Sequence, residues 1–214
     1  LTWVFISCQD SFVDIQSYDF YPVKLPKSKI YQVKEQIFEI NDDPSINTYY
    51  LKETITNIEA KPNEESFFIE RSKSKDGLVW KIDSVWIGRK TPSEVVISEN
   101  NIEKVKLIFP VRENTKFNIN KYNSSGSDEA IYLLKKEPFS LNDQKLENLI
   151  TVVISDDSTL IDKHKTSETY APQIGLVNKT LISLEYCQAS PGCIGKGIIS
   201  RGIIYEQVLK KTEN

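Results

Sequence analysis

The chain has 214 residues, with 27 lysines and arginines against 30 aspartates and glutamates, a formal net charge of −3 and a single histidine, His164. That length supports one large domain whose core needs no metal or disulfide. The acidic balance argues against nucleic acid as a partner, and one histidine excludes multi-histidine metal sites.

Residues 1–8 read LTWVFISC. The run is apolar but far too short to span a bilayer. It has the character of the end of a secretory signal whose charged start lies upstream. Phe5-Ile6-Ser7-Cys8 resembles a bacterial lipobox, which requires a small residue before the cysteine; Ser7 supplies it, while Phe5 replaces the usual leucine. The sequence therefore predicts lipidation at Cys8, a membrane anchor and a place in the bacterial cell envelope. The alternative is a first strand carrying a free cysteine. Gln9 rather than aspartate after the cysteine points to the outer membrane. Residues 9–28 contain Pro22 and Pro26 and suit an extended tether, with Phe20, Tyr21 and Leu25 apolar enough to dock on the domain.

From residue 29 to 210 the sequence reads as a single β domain followed by a short tail, 211–214. There are 26 isoleucines and 14 valines but only 4 alanines, a composition that favours the pleated sheet over the helix. Apolar–polar alternation marks half-buried strands. Strands are expected at 30–40, 48–58, 94–98, 130–135, 149–155 and 197–209. Phe67 and Ile69 alternate ahead of Arg71. Leu78, Trp80, Ile82 and Trp86 share one face. Val105, Leu107 and Phe109 share another, with Lys104 and Lys106 opposed to them. A long alternating segment runs from Ile174 to Tyr186. Trp80, Ile82, Trp86, Leu107, Phe109, Ile182 and Leu184 are expected in the core. Turn signals fall at 41–44, 61–65, 75–77, 90–93, 123–127 and 156–158. The best helical candidate is one or two turns over 141–148, where Ser140 or Asn142 could cap the start. About ten strands without a linker or repeat predict an all-β fold: one antiparallel sheet curled into an open or closed barrel, or alternatively a β-sandwich.

Cys187 and Cys193 lie on either side of a Ser190-Pro191-Gly192 turn. In an oxidising compartment they predict a disulfide; a thiol or metal pair is the alternative, although metal knuckles prefer a shorter spacing and a second pair.

Several segments occur in a recognisable order: Tyr21-Pro22-Val23, Tyr31-Gln32-Val33, Ile69-Glu70-Arg71-Ser72, Val105 to Pro110, Tyr170 to Val177, and Leu184-Glu185-Tyr186-Cys187. Together they resemble a group of Bacteroidota lipoproteins with no assigned activity. The resemblance runs from Cys8 to about Gln207. It implies a single β-rich domain behind a lipobox, and no reaction. Where that group often carries a tryptophan and a glycine after the Phe-Pro element, this chain has Lys116-Phe117-Asn118-Ile119-Asn120.

Little in the sequence points to catalysis. A serine or cysteine hydrolase would have to use His164, which lies between lysines in a segment that reads as exposed, and the G-x-S-x-G elbow is absent. The doublets Asp42-Asp43 and Asp156-Asp157 fall in turn signals, where aspartate has a backbone role. Glu53 and Glu70 interrupt strand patterns and face either inward or to solvent. Asp156, Asp157 and Asp162 lack the spacing and glycine of a calcium loop. No cofactor motif is present. Trp80 and Trp86 either fill the interior or line a cavity for an apolar small molecule; exposed, they would stack on a glycan. The reading is a non-catalytic, lipid-anchored envelope protein that binds a ligand or supports an envelope assembly. A carbohydrate-binding module is the alternative and a hydrolase the weaker one.

Overall fold

A computed structural model of the chain describes residues 17–24, 27–40 and 42–213. Cys8 and the first part of the expected tether lie outside the described residues. Among those described there is one short 3₁₀ turn, Ser17–Phe20, no α-helix and fourteen strands. The strands are β1 (Lys27–Phe38), β2 (Ser45–Lys61), β3 (Glu64–Ser74), β4 (Lys81–Lys90), β5 (Glu94–Glu99), β6 (Ile102–Ile108) and β7 (Lys116–Asn118). They continue with β8 (Glu129–Lys135), β9 (Phe139–Leu141), β10 (Gln144–Leu146), β11 (Leu149–Ser158), β12 (Asp162–Ala171), β13 (Gly175–Tyr186) and β14 (Ile199–Glu213).

Twelve strands form one sheet in the order β6-β5-β4-β3-β2-β1-β14-β13-β12-β11-β8-β7. Every neighbouring pair is antiparallel. β9 and β10 make a separate hairpin. The sheet curls into a barrel with one seam, between β6 and β7. A main-chain bond from Val105 N–H to the Ile119 carbonyl crosses that seam at 2.9 Å. Nearby, the Tyr132 hydroxyl accepts from Ile108 N–H at 2.6 Å and donates to the Ile108 carbonyl at 2.9 Å. One tyrosine thus satisfies both main-chain groups of a residue on an open edge, where the ladder leaves them unpaired.

The interior is filled with side chains. One apolar cluster includes Phe20, Phe67, Ile69, Val95, Ile97, Leu107, Tyr132 and Tyr170. A second includes Tyr31, Val33, Leu51, Leu149, Val177 and Leu209. Gly88 makes room for this packing, because a Cβ there would lie 2.3 Å from the Phe67 ring. The stretch expected as a tether contributes to the core: Phe20 and Tyr21 are buried. The Lys90 ammonium donates to the Tyr18 and Tyr21 carbonyls at 2.9 and 2.8 Å, and Gln173 N–H donates to the Asp19 carbonyl at 2.9 Å. Residues 17–21 therefore plug the barrel end that holds the β4–β5 and β12–β13 turns. β14 runs on to Glu213, so most of the expected tail is strand.

Three bulges change the expected inside–outside pattern. Arg71 pairs with Ser84 but Ser72 pairs with Ile82, which leaves Asp83 as an extra residue in β4. One extra residue inverts every side chain beyond it. Trp86 then lies opposite buried Ile69, while Ile82 turns outward and is exposed. In β6, Val95 pairs with Leu107 and Val96 with Val105, so Lys106 is the extra residue and is buried rather than opposed to the core. A third bulge in β2 places Asn57 at φ 55°. Of the other residues expected inside, Leu107 and Leu184 are buried, whereas Trp80, Trp86, Phe109 and Ile182 are half-buried.

The helical turns expected over 141–148 are instead the β9–β10 hairpin, with Asn142 at φ 53° in its turn. Asparagine caps helices and also tolerates the left-handed turn conformation. The turn expected at 156–158 falls at 159–161, and Asp156 and Asp157 belong to β11.

Candidate functional site

The inward row of β2 reads Tyr49, Leu51, Glu53, Ile55, with a carboxylate where the pattern calls for an apolar residue. Glu53 lies opposite Lys29 on β1 and Arg71 on β3, and Arg71 Nε donates to its Oε1 at 3.1 Å. The Arg71 guanidinium carbon also stands 3.7 Å from the centre of the Trp86 ring. Across the barrel, Glu168 on β12 pairs in register with Lys179 on β13, and Lys179 with Gln207 on β14. Glu168 is the centre of this network. Its Oε1 accepts from Lys106 Nζ at 2.6 Å and lies 3.1 Å from Lys179 Nζ, and its Oε2 accepts the Tyr170 hydroxyl at 2.6 Å. Lys106 also reaches Glu99, at 2.8 Å. The β6 bulge is what aims Lys106 at both carboxylates.

Burial alone would raise the Glu168 carboxyl; the Lys106 and Lys179 ammonium groups overcome it and hold the group well below the usual carboxylate range. Burial opposes the charge on Lys179 in turn, and Glu168 and Glu99 hold it above the usual lysine range. The network is thus a set of mutually supporting charges inside a β barrel. It lines a cavity of about 40 Å³, with the Trp86 indole and the Gln207 amide in its wall.

The two tryptophans expected to frame one ligand cavity lie on opposite faces of the sheet, because of the Asp83 bulge. Trp80 is on the outer face, 4.6 Å from the Lys52 ammonium, and Trp86 is in the charged interior. They therefore do not face one another across a single cavity. The sequence flags Glu53, which breaks an alternating pattern, and leaves its direction open; the structure turns it inward. For Lys106 the sequence carries no signal, because its inward direction depends on the register of two strands.

His164 is half-buried on β12, not exposed, and its Nδ1 lies 3.4 Å from Ser183 Oγ. Asp157 is its register partner on β11 but is exposed, and among the described residues no carboxylate bonds to the ring. Cys187 and Cys193 form a disulfide, with Cα atoms 5.7 Å apart, at the start of the β13–β14 connection. Among the described residues no group of three or more histidine, cysteine, aspartate or glutamate side chains could hold a metal.

Larger depressions lie outside the interior: one of about 370 Å³ beside the β2 bulge, against Phe67, Phe68 and Ile87, and two toward the barrel ends. One, of about 300 Å³, sits near the plugged end against Phe20, Val111 and Leu149, with Lys135 and Lys136 in its wall. The other, of about 480 Å³, lies at the opposite end between Ile37, Ile40, Ser183 and Arg201.

That opposite end has a distinct surface. In an antiparallel meander alternate turns share an end. The β1–β2, β3–β4, β5–β6, β7–β8, β11–β12 and β13–β14 connections therefore form one rim, while the plug and the β2–β3, β4–β5 and β12–β13 turns lie at the other. The rim connections and strand ends expose Ile40 and Ile46, Leu78 and Val79, Ile102, Tyr122, Leu160 and Ile161, and Ile194 and Ile198; Leu78 is 81% and Leu160 70% exposed. At the plugged end the three tight turns carry no exposed large apolar side chain, while Tyr18 of the plug and Leu133 and Leu134 near the end of β8 are exposed there at 39–41%, about half the exposure of Leu78. The β3–β4 tip is held in shape: Asp76 Oδ1 accepts from Leu78 N–H at 2.9 Å, Val79 N–H at 3.2 Å and Ser74 Oγ at 3.0 Å.

No family model and no curated protein matches the chain. Two solved structures are similar to it. One is a Bacteroides fragilis protein provisionally described as exported, with a YmcC-like fold. It is 11% identical, with a TM-score of 0.49, over 91% of this chain and 99% of that one. The other is a Parabacteroides distasonis protein provisionally described as a lipoprotein. It is 10% identical, with a TM-score of 0.47, over 91% of this chain and 98% of that one.

Proposed function

We propose that this chain is a non-catalytic, lipid-anchored protein of the cell envelope that works by docking a protein partner on its apolar rim. The observation that carries the reading is the run of exposed apolar side chains on successive tips at one barrel end. Scattered apolar residues on a surface are ordinary, but a concentration of them at one end marks an interaction site. The filled interior supports the same reading. A cavity of about 40 Å³ is far below the several hundred Å³ of ligand pockets, so the barrel is a scaffold for its surface. The rim carries charges of both signs, Asp42, Asp43 and Asp157 with Lys75 and Lys196, and Asp156 is paired with Lys165 at 3.0 Å, so a polar border of mixed sign surrounds the apolar tips.

Site-specific photo-cross-linking in the native host tests this. A photoreactive residue at Leu78 or Leu160 should give a discrete protein adduct, and one at Asn63 or Ser93 in the opposite turns should not. Adducts to lipid alone, or equal labelling from both ends, would overturn the reading.

A further inference from the structure

The pocket at the plugged end differs in kind from the charged interior. Its volume of about 300 Å³ reaches the lower end of the roughly 300–1,000 Å³ of small-molecule sites. Val111, Leu149 and Ile150 form its floor, and all three are core residues: Leu149 belongs to the second apolar cluster and the other two to the first. Leu134, part of the same lining, is open to solvent. Lys135 and Lys136 sit side by side in the wall, the first half-buried and the second exposed. Among the described residues neither ammonium has an ion-pair partner, and Glu147, the one carboxylate in the wall, pairs with neither. A lysine stem lies along apolar surface while its ammonium stays in water. The two side chains therefore set positive charge beside an apolar recess.

We propose that this pocket binds one single-chain amphiphile with an anionic head, its acyl tail in the recess and its carboxylate or phosphate on Lys135 and Lys136. The floor is aliphatic, so the enclosed part of the ligand is apolar. The two ammonium groups lack a counter-ion among the described residues, so the head is an anion. A charge-assisted hydrogen bond to such a head is stronger than a neutral one, which separates a fatty anion from the alcohol of equal length. The volume lies at the small end of its class, so one chain enters rather than the two of a phospholipid. The site is separate from the rim, and the inference does not depend on the docking reading.

The test titrates dodecanoate, below its micelle concentration, into the full chain stripped of non-covalent lipid. Dodecanol serves as the neutral counterpart and dodecanoyl lysophosphatidylglycerol as the membrane-derived one. Dodecanoate should bind saturably at one site and shift the methyl resonances of Val111, Leu134, Leu149 and Ile150, leaving Leu78 and Leu160 at the rim unmoved. Dodecanol should bind about tenfold more weakly, the effect of losing a hydrogen bond to a charged group. The double variant Lys135→Gln, Lys136→Gln should weaken dodecanoate by a similar factor and leave dodecanol unchanged. Tighter binding of the lysophospholipid would make membrane lipid the source and tighter binding of dodecanoate a free fatty acid; both support the site. Equal affinity for the anion and the alcohol, or methyl shifts confined to the rim, would overturn the proposal. So would the absence of saturable binding, which is also the result if another segment of the chain fills the pocket. The wild-type titration and spectra decide it even where the variant folds poorly.

Discussion

At the scale of single residues, Glu168 holds the interior together. It is buried, with two ammonium groups and a phenol bonded to it. A charge pair in such a place is weak support for stability when compared with an apolar substitute, yet breaking it leaves the partners uncompensated. Glu168→Gln should therefore destabilise the protein by about 3–5 kcal/mol at pH 7, measured by urea denaturation. The pH dependence has a fixed sign. The folded Glu168 carboxyl lies well below its unfolded value, so its stabilisation is complete above the ordinary glutamate range, begins to be lost as the pH enters that range and goes on falling until the folded group itself takes up its proton. The stability of the variant should fall less steeply than that of the wild type below about pH 4.5. Only part of this network could be read from the sequence. Glu53 disturbs a clean alternation and declares itself. Lys106 keeps perfect alternation with Val105 and Leu107, and the pattern places it outside. A bulge is a property of two strands, so periodicity along one strand does not contain it.

At the scale of elements, alternation and turn residues located most strands, because half-buried antiparallel strands carry a period of two. The errors fall where one residue type serves two structures, as at the Asn142 turn, or where elements are too short for a period to appear, as in β9 and β10. The plug is another case: Phe20 and Tyr21 look like surface-docking residues until the barrel end that receives them is known. Lys90 links the plug to β4. Burial pushes its ammonium down to about 8, against an unfolded value near 10.4. Between those values the unfolded chain binds more protons than the folded one, so this group makes stability rise with pH. From pH 7.5 to 9.5 the wild type should gain stability from Lys90, by no more than about 1 kcal/mol after solvent screening and the two carbonyl bonds to the ammonium are allowed for, and Lys90→Met should lose that increment. Urea denaturation of both proteins across this range checks it. A wild-type stability that is flat or falling relative to the variant would show that Lys90 does not titrate as its burial requires.

At the scale of the whole molecule, the meander assigns the two barrel ends different work. An even number of strands in the sheet brings the chain in before β1 and out after β14 at the same end, and the plug fills that end. The apolar rim is at the other. From Cys8 to Ser17 there are nine residue steps, which span at most about 30 Å when fully extended. A strand of twelve residues such as β1 is itself about 40 Å long. A lipid on Cys8 would therefore hold the plugged end toward its membrane and turn the rim away from it, which is why the rim is assigned to a partner rather than to the anchoring bilayer. Two or three acyl chains bind a membrane stably where one does not, since each buried methylene contributes about 0.8 kcal/mol. The full-length precursor should accordingly incorporate labelled fatty acid and fractionate with membranes, and Cys8→Ala should do neither while folding normally. A Cys8→Ala protein that still sediments with membranes would mean that another surface binds them. In that case the rim itself becomes the first candidate, and the orientation argued here is reversed.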